Sequence, residues 1–123
     1  SLESANELRR KAASLYANHL AGLPVRPPGS PEGHTHIYHL YTVLSERRDE
    51  LADHLSRAGI GCGVYYPLCL HLQPCYAALG HRPGDMPVSE ESARKAISFP
   101  MYPEIPESSI AAVAAAVREF FGK

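Results

Sequence analysis

The segment around which this chain is organised runs from residue 59 to residue 76 and reads GIGCGVYYPLCLHLQPCY. It opens with glycines that alternate with other residues, then passes through two tyrosines and a proline into an apolar run with one histidine. Loops on a rigid scaffold carry function more often than the scaffold does. An irregular apolar segment with phenol, imidazole and amide groups is therefore where we expect the functional residues.

Composition excludes several classes of protein. The chain has 123 residues, of which 45% are hydrophobic and 20% charged, and its net charge is −1. These values fit one globular domain, and the basic residues form no stripe that would bind nucleic acid. No apolar run approaches the roughly 20 residues that span a bilayer. The odd cysteine count, 3, argues against a disulfide framework and for a reducing compartment, so we expect a cytoplasmic protein.

Hydrophobic periodicity predicts an α+β fold, in which helices flank a small sheet of about three strands. Helices are predicted at residues 4–21, 45–58, 72–79, 90–96 and 107–121, and strands at 36–44, 61–65 and 97–101. A helix joins the first two strands, which allows them to pair in parallel. A small mixed or antiparallel sheet is also open. We expect a single domain over residues 1–123, in which a linking helix (1–21) precedes an α+β body (36–123).

Local patterns predict how these elements begin, end and pack. Ser4 and Ser45 are the predicted N-caps of the first two helices, and Gly59 is the predicted left-handed residue after the second. The strand at 36–44 has apolar residues on both faces, so it is predicted to be buried on both sides. The buried stripes of the second and last helices are predicted at Leu51, Leu55 and Ala58, and at Ile110, Val113, Val117 and Phe120.

Sulfur and nitrogen ligands raise the possibility of a metal site. Cys69, His71 and Cys75, with Cys62 nearby, have side chains that suit zinc. Their spacing matches no short zinc knuckle, and cysteine often behaves as a small buried hydrophobe. Cys69 beside His71 also resembles a nucleophile and its base, but no third group orients them. We therefore predict no metal ligand and no catalytic residue in this chain.

Several motifs in order resemble the C-terminal small domain of the DegT/StrS-type sugar aminotransferases, which use pyridoxal phosphate. Residues 59–76 are similar to the family's run Gly-Ile-x-x-Gly-Val/Ile-x-Tyr-Pro-x-Pro-Leu-His-x-x-Pro-x-Tyr. Further matches are a Gly-Asp-Phe-Pro-Val-x-Glu segment at 82–90, a Leu-Ser-Leu-Pro-Met/Leu-x-Pro-Glu segment at 97–104, the helix at 6–16 and the strand at 38–41. The resemblance covers nearly the whole chain.

This resemblance implies a fold like the C-terminal domain of aspartate-aminotransferase-like (fold type I) enzymes. It also implies a homodimeric full-length protein that moves an amino group from a donor such as glutamate to a keto group of a nucleotide-linked sugar. The family keeps its cofactor lysine in an N-terminal large domain, and Lys11, Lys95 and Lys123 do not resemble that lysine. We therefore expect this chain to lack that domain, to bind no pyridoxal phosphate by itself and to be inactive alone.

Tyr65, Tyr66 and His71 are the predicted substrate-binding residues, because phenols and an imidazole can hydrogen-bond sugar hydroxyls or a donor carboxylate. Tyr65 stands where the family commonly has histidine, and Cys69 where it usually has proline. One alternative places one tyrosine in the core and the other at an interface. Other hypotheses are a stand-alone binding or oligomerisation domain, a small metal-binding module, and the dehydratase or regulatory roles found within the family.

Overall fold

The computed structural model describes residues 1–123 and confirms the α+β class. The elements in chain order are α1 Leu2–Leu20, β1 Tyr41–Leu44, α2 Arg48–Arg57, α3 Pro87–Lys95, β2 Ala96–Phe99 and α4 Glu107–Phe120. The predicted helix at 72–79 is instead two 3-10 segments, Leu70–Leu72 and Pro74–Leu79, between α2 and α3. No helix has both the length and the apolar character needed to cross a membrane.

Three helix starts differ from their predicted positions. α3 begins at Pro87, not at residue 90, and local hydrogen bonds account for the other two. Ser1, not Ser4, is the N-cap of α1. The Ser4 N–H donates to the Ser1 hydroxyl at 3.3 Å and the Ser1 amino group donates to the Ser4 hydroxyl at 3.0 Å, which together form a capping box. Ser45 does not cap α2; its hydroxyl accepts the Arg47 N–H at 3.3 Å, and the helix begins at Arg48. Gly59, with φ +76°, supplies the predicted left-handed residue after α2.

The sheet has two strands, so the prediction of about three is wrong. β1 pairs antiparallel with β2, with Tyr41 opposite Phe99 and Leu44 opposite Ala96. The predicted strand at 61–65 contributes only a bridge, in which Gly63 and Ser98 exchange backbone hydrogen bonds of 3.0 and 2.7 Å. A second bridge joins Arg26 to Leu44 at the other edge of the sheet.

The predicted strand at 36–44 is extended only from Tyr41. Tyr38 has a left-handed backbone, with φ +52°, and its N–H donates to Nδ1 of His36 at 2.8 Å. This local turn interrupts the extended backbone, so the observed strand begins only at Tyr41. The predicted two-sided burial is therefore also wrong for Ile37 and Leu40, which are 48% and 39% exposed.

The core lies between the sheet and the helices. α4 packs against α1 and α2, while α2 contacts β2 and α3 contacts β1. Rings of Tyr16 and Tyr41 stack at 4.6 Å, and the Tyr16 hydroxyl donates to the Pro100 carbonyl at 2.7 Å. Burial raises the pKa of Tyr41 to about 12, and that of Tyr16 further. The predicted apolar stripes of α2 and α4 are buried at Leu51, Leu55, Ile110, Val113 and Val117. Phe120 is only half-buried, and the prediction is wrong for Ala58, which follows the end of α2 and is exposed.

Candidate functional site

The segment 59–76 lies against α3, and between them is an open cleft of about 550 Å³. Its walls are mainly apolar, with a few polar groups, which is the usual character of a small-molecule site. The three predicted residues, Tyr65, Tyr66 and His71, all line it. The other lining residues are Leu68, Cys69, Leu70, Gln73, Met86, Val88, Ser89, Ser92, Ala93 and Ala96.

Tyr65 and Tyr66 form the mouth of the cleft. They are 51% and 75% exposed, and their rings meet edge to face at 5.9 Å. A cis peptide bond joins them. Neither ring is in the core, so the alternative that buries one of them is wrong. The far end of the Tyr65 ring lies over Gly63, so a Cβ atom at this position would overlap the ring and displace it.

His71 lies at the inner side of the cleft and is only 8% exposed. Its Nε2 is 2.9 Å from Oε1 of Glu90, in the first turn of α3. The Glu90 carboxylate also accepts the Gly84 N–H on both oxygens at 2.9 Å, and the Met86 N–H at 3.3 Å. These hydrogen bonds, the one from Gly84 first, hold the pKa of Glu90 below its usual range.

Glu90 was not predicted as a site residue. Its only signal in the sequence is its place at the end of the segment 82–90, in the first turn of a helix that follows Gly-Asp-Met-Pro. Glutamate is common in first turns, because it favours the positive end of the helix dipole. Residue type and position therefore did not reveal the contact with His71.

Arg48 supports the cleft from behind, a role that was not predicted from the sequence. Its guanidinium is buried and donates from Nη1 to the carbonyl of Ala93 at 3.0 Å and to that of Ala96 at 2.9 Å. Asp49 accepts from Nε at 2.5 Å. Because Ala93 and Ala96 both line the cleft, Arg48 fixes the end of α3 that forms its wall.

The suggested zinc ligands do not come together. No three His, Cys, Asp or Glu side chains are grouped so that they could hold a metal ion. Nε2 of His71 faces Glu90, and burial raises the pKa of the Cys62 thiol, which disfavours the thiolate that zinc requires. The geometry therefore gives no support to the zinc-module hypothesis.

The lysines of this chain do not fit a Schiff base with pyridoxal phosphate. The Lys95 ammonium lies 2.5 Å from a Glu46 oxygen and 2.6 Å from a Glu91 oxygen. These carboxylates raise the pKa of Lys95, whereas a Schiff-base lysine must lose its proton to attack a carbonyl. Lys11 and Lys123 are exposed and do not line the cleft.

Known proteins match this chain along most of its length. It is 41% identical over 123 residues to a pleiotropic regulatory protein of Geobacillus stearothermophilus, covering 98% of this chain and 33% of the relative. It is 37% identical to a UDP-N-acetyl-3-dehydro-alpha-D-glucosamine 3-aminotransferase of Acidithiobacillus ferrooxidans, covering 95% and 31%. The chain thus spans about a third of the length of these relatives.

Solved structures show the same correspondence. The crystal structure of Streptomyces venezuelae DesV in complex with a ketimine intermediate superposes with a TM-score of 0.94 and 37% identity. The superposition covers 99% of this chain and 33% of DesV. The sequence pattern of the DegT/DnrJ/EryC1/StrS aminotransferase family matches residues 1–118. This confirms the resemblance seen in the sequence motifs: the chain belongs to the DegT/DnrJ/EryC1/StrS aminotransferase family.

Proposed function

We propose that this chain is the C-terminal small domain of a pyridoxal-phosphate-dependent aminotransferase that acts on a nucleotide-linked keto-sugar, with an amino-acid donor such as glutamate. The observation that carries the proposal is the convergence of Tyr65, Tyr66 and His71 on one cleft, in a chain of this family. The sugar-nucleotide aminotransferase among its relatives supports the substrate class. Residues 1–123 would form one domain, in which residues 1–21 link it to a preceding large domain.

The residues of this chain would bind and orient the sugar. The phenols of Tyr65 and Tyr66 can donate to and accept from sugar hydroxyls at the mouth of the cleft, and His71 provides a polar atom further in. The apolar walls limit water around these groups. A lysine outside this chain would hold pyridoxal phosphate, so the chemical step belongs to the complete protein.

The exposed apolar side chains at the cleft suggest what covers it. Tyr66, Leu70 and Val88 are 75%, 74% and 77% exposed, and together they form what we call the apolar rim. Contiguous exposed apolar surface usually marks an interaction site. We propose that the large domain covers the rim and that the full-length protein is a homodimer. The three free cysteines are consistent with the reducing cytoplasm.

The test is a comparison of His71→Ala with His34→Ala in the full-length protein. His34 is an exposed residue between α1 and β1 and lies outside the cleft. Loss of one hydrogen bond to the sugar should lower kcat/KM for the nucleotide sugar roughly tenfold in the His71 variant only. Steady-state kinetics measure this, and circular dichroism verifies the fold. Equal kinetics in the two variants would remove His71 from the site.

A second candidate is a regulatory or binding protein without catalysis, because one relative at 41% identity is a pleiotropic regulatory protein. Mass spectrometry of the natural polypeptide and an amino-transfer assay on it separate the two functions. A polypeptide several times longer than 123 residues that converts pyridoxal phosphate to pyridoxamine phosphate with glutamate supports the aminotransferase. A chain of this length, or a longer one without transfer, supports the binding role.

A further inference from the structure

Three hydrogen-bond donors converge on the carboxylate of Glu90. The amides of Gly84 and Met86 and the imidazole of His71 all meet it within 3.3 Å. The two amides can only donate, so they hold the carboxylate in one position regardless of His71. The Glu90 side chain is 20% exposed, and that of His71 is 4% exposed. The pair is therefore a fixed and largely water-excluded contact.

An ionised carboxylate accepts hydrogen bonds and cannot donate them. Nε2 of His71 must therefore carry the proton that lies between the two groups. In a neutral imidazole only one nitrogen is protonated, so Nδ1 is left with a free lone pair. No protein group hydrogen-bonds Nδ1; the ring of the neighbouring His81 approaches edge-on at a centroid distance of 6.2 Å, and its own Nδ1 lies 3.6 Å from Asp85.

We propose that Glu90 is a positioning residue that fixes neutral His71 with its proton on Nε2, so that Nδ1 is presented to the cleft as a hydrogen-bond acceptor. The proposal rests on the function proposed above and makes it more specific. An acceptor at this place selects a hydroxyl donor of the sugar and disfavours the carboxylate of an amino-acid donor, which has no proton to give. His71 thereby discriminates the nucleotide sugar from the amino-acid donor.

The same carboxylate also fixes part of the cleft wall. Met86 lines the cleft, and its N–H is one of the donors to Glu90. Replacing Glu90 therefore disturbs both the imidazole and the segment 84–86. A kinetic defect alone would not distinguish these two effects, so the test needs a direct measurement of the proton on His71.

The first experiment is nitrogen-15 NMR of the protein labelled in its histidine rings, near pH 8, where an ordinary imidazole is neutral. In the wild type, the His71 signals should show a protonated Nε2 and an unprotonated Nδ1. Glu90→Gln should shift the proton toward Nδ1 or produce a mixture, whereas the control Glu91→Gln should change nothing. Glu91 is the next residue, but it binds Lys95 and does not line the cleft.

A wild-type signal from protonated Nδ1 overturns the proposal without any variant, and so does an unchanged tautomer in a folded Glu90→Gln protein. A double-mutant cycle in the full-length protein is the second test. Glu90→Gln and His71→Ala should each lower kcat/KM for the nucleotide sugar about tenfold. The double variant should be much less than about tenfold slower than His71→Ala, because only the effect on the segment 84–86 remains.

The two proposals fail in different ways. If His71→Ala is slow but Glu90→Gln is normal, or if the two effects multiply, Glu90 does not act through His71 and only the positioning proposal is overturned. If His71→Ala has normal kinetics, the sugar-binding role of His71 is overturned together with the inference that depends on it.

Discussion

Nε2 of His71 lies 2.9 Å from Oε1 of Glu90, although 19 residues separate the two along the chain. This contact joins the irregular segment 59–76 to the first turn of α3. Since Glu90 is fixed by the amides of Gly84 and Met86, the imidazole is oriented by a preorganised acceptor. Such preorganisation is what a binding site requires of the residues that support it.

Glu90 should make the free energy of unfolding depend on pH in the acid range. Its pKa is lowered in the fold, so its contribution is present above the ordinary carboxyl pKa and is lost as the pH falls through the folded value. The urea midpoint of Glu90→Gln should therefore lie below that of the wild type at neutral pH, and the gap should narrow as the pH falls below the ordinary carboxyl pKa of about 4.3.

Glu32→Gln is the matched control for this comparison. Glu32 is an exposed carboxylate between α1 and β1. Its midpoint should follow that of the wild type across the whole pH range. A gap between Glu90→Gln and the wild type that does not narrow as the pH falls below about 4.3 would show that the charge of Glu90 is not what stabilises the fold.

Arg48→Met should destabilise the protein strongly. The substitution leaves the carbonyls of Ala93 and Ala96 without their donor, and unpaired buried acceptors are costly. We expect a loss of about 2–4 kcal/mol in the free energy of unfolding. Arg57→Met, at the exposed end of α2, should change it by less than about 0.5 kcal/mol. Urea denaturation measures both, and equal values would contradict the structural role of Arg48.

Gly63→Ala should displace Tyr65 with little cost in stability. The added methyl group overlaps the far end of the Tyr65 ring, which is half exposed and free to move outward. We expect a shift in the NMR signals of the Tyr65 ring, together with a change below about 1 kcal/mol in the free energy of unfolding. Gly61→Ala is the control, because a Cβ there meets no atom within 4 Å. Unmoved Tyr65 signals in Gly63→Ala would contradict the observed packing.

Tyr16→Phe should cost about 1 kcal/mol, the usual value of one buried hydrogen bond. The variant keeps the stacking on Tyr41 but removes the 2.7 Å bond to the Pro100 carbonyl. Tyr102→Phe is the matched control, since Tyr102 is 46% exposed. Thermal or urea unfolding compares the two variants. If both retain wild-type stability, the hydroxyl of Tyr16 contributes nothing to the fold.

High pH should unfold the chain cooperatively. The pKa values of Tyr16 and Tyr41 are raised by burial, so the stability they provide is intact below the ordinary tyrosine pKa and is lost as the pH rises above it. We expect a fall in stability above about pH 10. Tyrosinate absorbance and circular dichroism should change together for these two residues. Ionisation of all tyrosines before unfolding would contradict their burial.

The sequence predicted helices better than strands, and the reason is local. The stripes that hold Leu51 and Leu55 in α2 and Ile110 in α4 follow the helical period and are buried. The strand predictions failed where one residue changed the path of the backbone. Tyr38 turns the chain before β1. After the bridge at Gly63, the chain folds back so that the Tyr65 ring lies over this glycine. A period-2 pattern contains no signal for such turns.

Part of the candidate site was also predictable. The irregular composition of residues 59–76 identified Tyr65, Tyr66 and His71, and they share a cleft; their role in substrate binding stays a prediction. Glu90 and Arg48 were not identified, because their contacts join elements 19 and 45–48 residues apart. Hydrogen bonds across such separations depend on the tertiary fold, and a single sequence gives no pattern for them.

The bridges at Arg26 and Gly63 affect how this chain can aggregate. Exposed strand edges invite the addition of strands from other molecules, which is the route to amyloid. Here the outer edge of β1 bonds Arg26 through Leu44, and that of β2 bonds Gly63 through Ser98. On each outer edge, the bridge already uses part of the strand's backbone hydrogen-bonding groups. The row of free amides is therefore shorter than the strand. If the apolar rim makes the isolated chain self-associate, the clusters should therefore form through side chains, dissolve on dilution and fail to bind dyes specific for cross-β fibrils.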